Sequence, residues 1–293
     1  CGYIGYDPIP ISSENATGVS EAVLDESALA EDDAATTGDT PVAETSAAFS
    51  SVVRVSVDAA GVEGSGRADN IQLSRDGRYA VFNSSASNWF PDDDNGHADV
   101  FRKDLVTGEL IRVSEREDGA PANNFSHMGQ LSDDGVLVMF RSFASNLVPG
   151  DNNGLADVFI KNVATSSLRR ISVHTDGSEA QGGASSSYAG TFTRVAGGDP
   201  YVVFDSEATN LIGSDTNGAV DIYKHNLATS VTQRISEIPG VQGNGASFDG
   251  TVIELFDALI FASNATNMGA GDNNNATDII LRSMGMDPTF RIL

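Results

Sequence analysis

Four short loops carry the residues of this chain that could do chemistry. They read Asp93-Asp94-Asn95-Gly96-His97-Ala98-Asp99, Asp151-Asn152-Asn153-Gly154-Leu155-Ala156-Asp157, Asp215-Thr216-Asn217-Gly218-Ala219-Val220-Asp221 and Asp272-Asn273-Asn274-Asn275-Ala276-Thr277-Asp278. The shared pattern is Asp-x-Asn-[Gly/Asn]-x-x-Asp, followed each time by Val or Ile. Oxygen-rich loops of this kind suit a hard cation. Calcium takes about six to eight oxygens at roughly 2.3–2.6 Å, from carboxylates, amide carbonyls and backbone. Positions 1, 3 and 7 offer two carboxylates and one amide oxygen. The candidate ligands are therefore Asp93, Asn95 and Asp99; Asp151, Asn153 and Asp157; Asp215, Asn217 and Asp221; and Asp272, Asn274 and Asp278. The Gly or Asn at position 4 tolerates positive φ and wraps the chain around a point. The loop is shorter than an EF-hand and lacks its terminal bidentate Glu. A magnesium site is disfavoured, because a loop of this type does not build a rigid octahedron.

A competing reading needs no metal. Asp and Asn form Asx-turns on their own, and an Asp before a strand accepts backbone N–H bonds. Two features favour the cation. Both carboxylates recur in all four loops, where a turn would accept Asn, Ser or Gly. The chain is also strongly anionic, at −24, so packing further charge into tight loops calls for compensation. An Asn stands five residues ahead of each loop, at Asn88, Asn146, Asn210 and Asn267.

The loops sit in a longer repeat. Arg54-Val55-Ser56, Arg112-Val113-Ser114, Arg170-Ile171-Ser172 and Arg234-Ile235-Ser236 are spaced by 58, 58 and 64 residues, and Arg291-Ile292 follows. Within the second unit, Leu131-Ser132-Asp133-Asp134-Gly135 signals a hairpin. Val136 to Phe140 is a short apolar run of the kind that forms a buried strand. Val158-Phe159-Ile160 starts a third strand, Ala164-Thr165-Ser166 a turn, and Ser167 to Ser172 a fourth strand. Three or four short antiparallel strands per unit, with no helical periodicity, describe one blade of a propeller. The fourth unit lacks the Asp-Gly pair, which leaves its register the least determined.

Ser74-Arg75-Asp76-Gly77 leading to Phe82, then Asp99-Val100-Phe101 and Asp104-Leu105-Val106-Thr107-Gly108, resembles the TolB-type, WD40-like β-propeller repeat of the PD40 family. The resemblance covers residues 54–293 and is sharpest in the first unit. It implies a periplasmic or surface β-propeller used for binding and assembly. Some members carry hydrolase domains, and this sequence shows none. The expected architecture is an all-β propeller of about four blades of 58–64 residues, at about 54–111, 112–169, 170–233 and 234–293, within a repeat domain 51–293.

Residues 1–50 are of another kind. They hold Asp7, Glu14, Glu21, Asp25, Glu26, Glu31, Asp32, Asp33, Asp39 and Glu44 without a single Lys or Arg. Such composition gives a tether. Its first residues, with Tyr3, Ile4, Tyr6, Ile9 and Ile11 around Pro8 and Pro10, form an extended apolar stretch that could add to a sheet edge. This acidic arm, together with five Arg-(Val/Ile) strands against four loops, points to strand donation and self-association through residues 1–50.

The remaining features narrow the function. A net charge of −24 repels the phosphate backbone, which argues against nucleic acid as a partner. No run reaches the roughly 18 apolar residues of a membrane span. The one cysteine, Cys1, excludes an internal disulfide or cysteine-based zinc site. It also matches the mature start of a lipid-anchored bacterial lipoprotein, against the plain alternative that the numbering begins there. The four histidines, His97, His127, His174 and His225, share no spacing with a nucleophile or carboxylate, and no hydrolase or phosphate-loop motif is present. The sequence thus predicts a non-enzymatic, calcium-stabilised (Ca2+) propeller subunit of an extracellular or cell-surface assembly, extending to a filament. The alternative it leaves open is a monomeric surface or periplasmic module that recognises an envelope protein or glycan.

Overall fold

A computed structural model describes residues 52–181, 188–193, 200–213, 215–238, 240–253, 258–268, 272 and 274–283. The acidic arm, Cys1 and the Arg291-Ile292 phrase lie outside these residues.

The repeat builds strands as its pattern requires. In the second unit β5 (Ser126–Leu131), β6 (Leu137–Ser142), β7 (Asp157–Asn162) and β8 (Leu168–Arg170) form an antiparallel meander in the order β5-β6-β7-β8. Ser132 and Asp134 close its first hairpin: the Ser132 hydroxyl donates to Asp134 Oδ1 at 2.7 Å, and the Val136 amide donates to the same oxygen. The continuous apolar run becomes β6, whose last five residues are all buried. That is the expected pattern for a strand covered on both faces.

The first unit repeats this with β1 (Ala68–Leu73), β2 (Tyr79–Ser84), β3 (Asp99–Asp104) and β4 (Leu110–Arg112). The third does so with β9 (Tyr188–Thr193), β10 (Tyr201–Ser206), β11 (Asp221–Asn226) and β12 (Thr232–Arg234). A short hairpin of β13 (Glu237–Ile238) and β14 (Val241–Gln242) leads to the fourth sheet. There, among the described residues, β15 (Ser247–Ile253), β16 (Ala258–Ser263) and β17 (Asp278–Ser283) make three strands. The register left open by the missing Asp-Gly pair is Ser247 opposite Ser263 and Ile253 opposite Ala258. A bulge places Asp249 at φ 57°, the counterpart of Asn70 and Met128 in the first strands of sheets one and two.

The core lies between successive sheets. One apolar layer joins sheets one and two through Val81, Val100, Leu131 and Phe140. The next joins two and three through Met139, Val158, Val202 and Phe204, and the last joins three and four through Val203, Ile222, Leu259 and Phe261. Each such side chain, fully buried, contributes about 1.5–3 kcal/mol. Close approach is bought with glycine: a Cβ on Gly129 would stand 2.7 Å from Val100 and Val81.

The first strands β1, β5, β9 and β15 pack on one another in chain order, as the inner strands of propeller blades do. The fold is all-β, with successive sheets arranged as β-propeller blades. Among the described residues the fourth sheet does not pack on the first as the others pack on their neighbours.

A column of polar side chains, three of them cationic, ties each sheet to the linker that leads into it. Lys103 Nζ donates to the carbonyls of Val57 and Asp58 at 2.8 and 3.0 Å, and Lys161 Nζ to those of Glu115 and Arg116 at 3.2 and 3.0 Å. Arg282 donates to the carbonyls of Ile235 and Glu237. In the third sheet His225 fills the place. Its Nδ1 pairs with Thr232 Oγ1, and that hydroxyl donates to the Val173 carbonyl. Burial, reinforced by Arg169, holds His225 down at a pKa of about 4.

Candidate metal centre

Each loop forms a corner at the start of a third strand. Position 7 is the first residue of that strand: Asp99, Asp157, Asp221 or Asp278. Position 4 has positive φ in all four, with Gly96 at 71°, Gly154 at 66°, Gly218 at 62° and Asn275 at 51°. The turn chemistry read from the sequence is therefore present in every copy.

The two repeated phrases meet at the corner. The serine of Arg-(Val/Ile)-Ser donates its hydroxyl hydrogen to the position 7 carboxylate at 2.5 Å in three corners, as Ser114 to Asp99, Ser172 to Asp157 and Ser236 to Asp221. The same hydroxyl oxygen accepts the N–H of the following residue, Val100, Val158 or Ile222, at 3.0–3.1 Å. The arginine supplies charge. Arg170 Nη1 lies 3.1 Å from Asp157, 3.5 Å from Asp151 and 3.0 Å from Glu179. Arg234 Nη1 lies 3.6 Å from Asp221 and 4.0 Å from Asp215. Arg112 turns instead to Asp92, with two hydrogen bonds of 3.2 and 2.8 Å.

The asparagines at position 3 act as turn formers. Asn95, Asn153, Asn217 and Asn274 each accept the N–H of position 5 at 2.6–2.8 Å. Three of them also reach across: Asn95, Asn153 and Asn217 Nδ2 donate to the carbonyls of Ala122, Ala180 and Gly243. The asparagines five residues ahead are staples. Asn88, Asn146, Asn210 and Asn267 each accept a loop amide and donate Nδ2 to a loop carbonyl, of Glu63, Pro121, Glu179 and Gln242 respectively.

Burial sets the electrostatics. Asp99 and Asp157 are 0 % and 1 % exposed. Desolvation pushes Asp99 up to about 6 against the hydrogen bond from Ser114, and pushes Asp151 up to about 6 with help from the charge of Asp157. The same burial raises Asp93, Asp157 and Asp221. At the second corner Asp151, Asp157 and Glu179 each bring a carboxylate oxygen within 4.8 Å of the others. A cation bonded to oxygens at about 2.4 Å fits oxygens that far apart. Glu179 was not among the residues picked from the sequence. It comes from the linker 22 residues beyond Asp157, and no local pattern marks it. At the third corner its place is taken by Gln242, whose Nε2 donates to Asp215 Oδ1 and Asp221 Oδ2, both at 2.8 Å. Two buried carboxylate oxygens, Asp99 Oδ2 and Asp215 Oδ2, have no hydrogen-bond partner. The donor set fits a hard cation, and Arg170 Nη1 occupies the space an ion would enter.

The fourth corner differs. Asp272 accepts the Asn274 amide, while Asp278 has neither a serine nor an arginine partner among the described residues. His97 is exposed at the first corner, and His127 and His225 lie in strands away from the loops.

No family model matches the chain, and no curated protein matches it. Solved structures do resemble it. One is a prolyl endopeptidase, at TM-score 0.37 and 13% identity over 74% of this chain and 26% of that one. A second is the β-propeller domain of the Trilobed protease from Pyrococcus furiosus, at TM-score 0.41 and 8% identity over 75% and 55%. A third is a putative TolB from Agrobacterium tumefaciens, at TM-score 0.28 and 14% identity over 75% and 78%. The chain spans 26% and 55% of the first two. These likenesses concern fold alone. No helix among the described residues is long and apolar enough to cross a membrane.

Proposed function

We propose that this chain is a non-enzymatic β-propeller subunit whose corners bind calcium, working in an extracellular or cell-surface assembly. The observation that supports it best is the second corner, where three carboxylates share one guanidinium. That leaves two negative charges, which one divalent ion balances. The orphaned oxygens of Asp99 and Asp215 support the same reading elsewhere. A buried acceptor without a partner costs about 1–3 kcal/mol, and more when charged, so an ion that coordinates it gains that much over water. The guanidinium braces the corner without the ion and shifts toward its rim when the ion enters, still beside the carboxylates. Loops of modest charge suit calcium at about 10⁻⁴–10⁻³ M, the range of extracellular modules. Self-association through residues 1–50 belongs to this proposal, since a strand-like acidic arm suits an open sheet edge.

Thermal melting of the full chain in calcium and in chelator tests the ion. Calcium is expected to raise the melting temperature, and Asp157→Asn and Asp221→Asn to reduce the rise. Identical melting in both buffers overturns the reading.

A further inference from the structure

Three corners are complete, and two halves of a fourth kind are left over. A complete corner consists of a loop Asp and the serine that donates to it, with the arginine of the same phrase nearby, Arg112 reaching Asp92 just ahead of the first loop. Asp99 has Ser114, Asp157 has Ser172 and Asp221 has Ser236. Asp278 has no such serine among the described residues. The sequence offers it Arg291-Ile292-Leu293, with leucine where the hydroxyl is needed. At the other end Arg54-Val55-Ser56 has the full phrase and, among the described residues, no loop Asp to close. Arg54 pairs with Glu63 on its own linker, and Val52 and Val53 are 104% and 74% exposed. The same ends carry bare apolar faces. Leu73 is 53% exposed, whereas its counterpart Leu131 is 6%. Ile279 is 68% exposed, whereas Val100, Val158 and Ile222 at the same place are fully buried. Leu281 and Ile71 add to the two faces.

We infer that residues 52–57 of one copy add as the closing strand to β17 of a second copy, with Ser56 donating to that copy's Asp278 and Arg54 joining its Asp272–Asp278 corner. The contact continues the joints already present inside the chain. In each of them the closing strand of one sheet runs straight into the next sheet, as β4 runs into the linker that Lys161 holds. Residues 54–56 precede the segment that Lys103 holds against sheet one in the same way. The sheet they close must therefore stand against the open face of sheet one. Within one chain the fourth sheet does not pack there among the described residues, and the inference places a second copy's fourth sheet in that position. Repetition of a head-to-tail contact of this kind builds a filament. One difference from the internal joints is built in. Ile71 stands where Gly129 and Gly250 admit a neighbouring valine or isoleucine. The joint between copies is wider than those inside and relies on the added strand. This inference rests on the assembly half of the proposed function and is independent of calcium.

A Cys1→Ser background removes the chain's one cysteine. In it, Ser56→Cys and Asp278→Cys are made as separate full-length proteins, mixed, and treated with a short bis-maleimide, in calcium and in chelator. A product of twice the chain mass, formed only in the mixture, is expected in at least one buffer. Its absence from both buffers overturns the inference, as does an internal cross-link in the Ser56→Cys/Asp278→Cys double variant that leaves it monomeric. Charge exchange gives a second reading that does not depend on cysteine. Arg54→Asp alone and Asp278→Arg alone are expected to dissociate assemblies in a sizing column, and their mixture to restore assembly to half or more. Assemblies unchanged by either substitution contradict it. Assemblies that persist in the sizing column without the cross-link overturn this joint and leave the assembly standing, whereas a monomer in every buffer overturns both.

Discussion

The second and third corners share their arginine, serine and two aspartates, and differ in one residue from the linker. Glu179 adds a third carboxylate beside Arg170, while Gln242 brings a neutral amide that donates to both Asp215 and Asp221. One corner is short of positive charge and the other is stitched by hydrogen bonds. The same loop pattern therefore serves two electrostatic states, and the choice is made by a side chain more than twenty residues away. Identical motifs do not guarantee equal sites. On this account the second corner takes calcium more tightly than the third.

The largest effect is expected from removing the arginine. In chelator, Arg170→Met leaves buried Asp151 and Asp157 beside half-buried Glu179 without a cation, at a cost of about 3–5 kcal/mol. Arg234→Met leaves two carboxylates that Gln242 still bridges, at a cost of about 1–3 kcal/mol. Urea unfolding reads both. Calcium is expected to restore most of the loss in Arg170→Met and little in Arg234→Met. Equal losses and equal rescue would erase the distinction between the corners.

Exchange of the linker residue is expected to exchange the behaviour. Glu179→Gln should weaken calcium binding about tenfold, worth about 1.4 kcal/mol, and Gln242→Glu should create tighter binding at the third corner. Calcium titration followed by calorimetry measures each. Unchanged affinity in both variants would show that the third carboxylate is idle.

The staples serve as a control. Asn146 and Asn210 each make one accepted and one donated bond to the loop they hold. Asn146→Ala and Asn210→Ala are expected to cost a similar amount, about 1–2 kcal/mol, with or without calcium. A calcium-dependent cost at one of them would place the staple within the ion's reach.

The most local expectation is the part of the pH profile that His225 contributes in the third sheet, beside His127 of the second sheet, which burial also holds at about 4. His225 has its pKa lowered to about 4 by burial, against about 6.5 in an unfolded chain. The unfolded state binds the extra proton between those values, so stability is lost as pH falls from 6.5 to 4, by up to about 1.4 kcal/mol per pH unit. His225→Gln should flatten that part of the profile. Lys161, in the equivalent place of the second sheet, has its pKa lowered by burial against the charge of Glu115. An unchanged slope in His225→Gln would mean that other groups titrate there.

Much of this was legible in the sequence. The Asp134-Gly135 hairpin, the apolar run of β6 and the recurring loop are local patterns, and local patterns survive into structure. Position 4 required residues that tolerate positive φ, and all four copies have them. The partnership of Ser172 with Asp157 was not legible, although both belong to repeated phrases. Asp157 opens β7 and Ser172 lies two residues past the end of β8, and the pairing of β7 with β8 brings them together. Glu179 and Gln242 were hidden for a stronger reason: they differ between units, so repetition does not mark them. The asparagines, candidate ligands by their place in the loop pattern, also form turns, their oxygens accepting the amides of Leu155 and Ala219. Lys103, Lys161, His225 and Arg282 form a column by position and not by residue type, and a search for identical residues passes over it.

The most direct test of the corner as an ion site is calcium titrated into the chelator-treated full chain and read by calorimetry beside an Asp151→Asn/Asp157→Asn double variant. Saturable heat in the millimolar range or below, lost from the second corner in the variant, is the expected result. No saturable heat up to about 10 mM, with the same trace from both proteins, would contradict it.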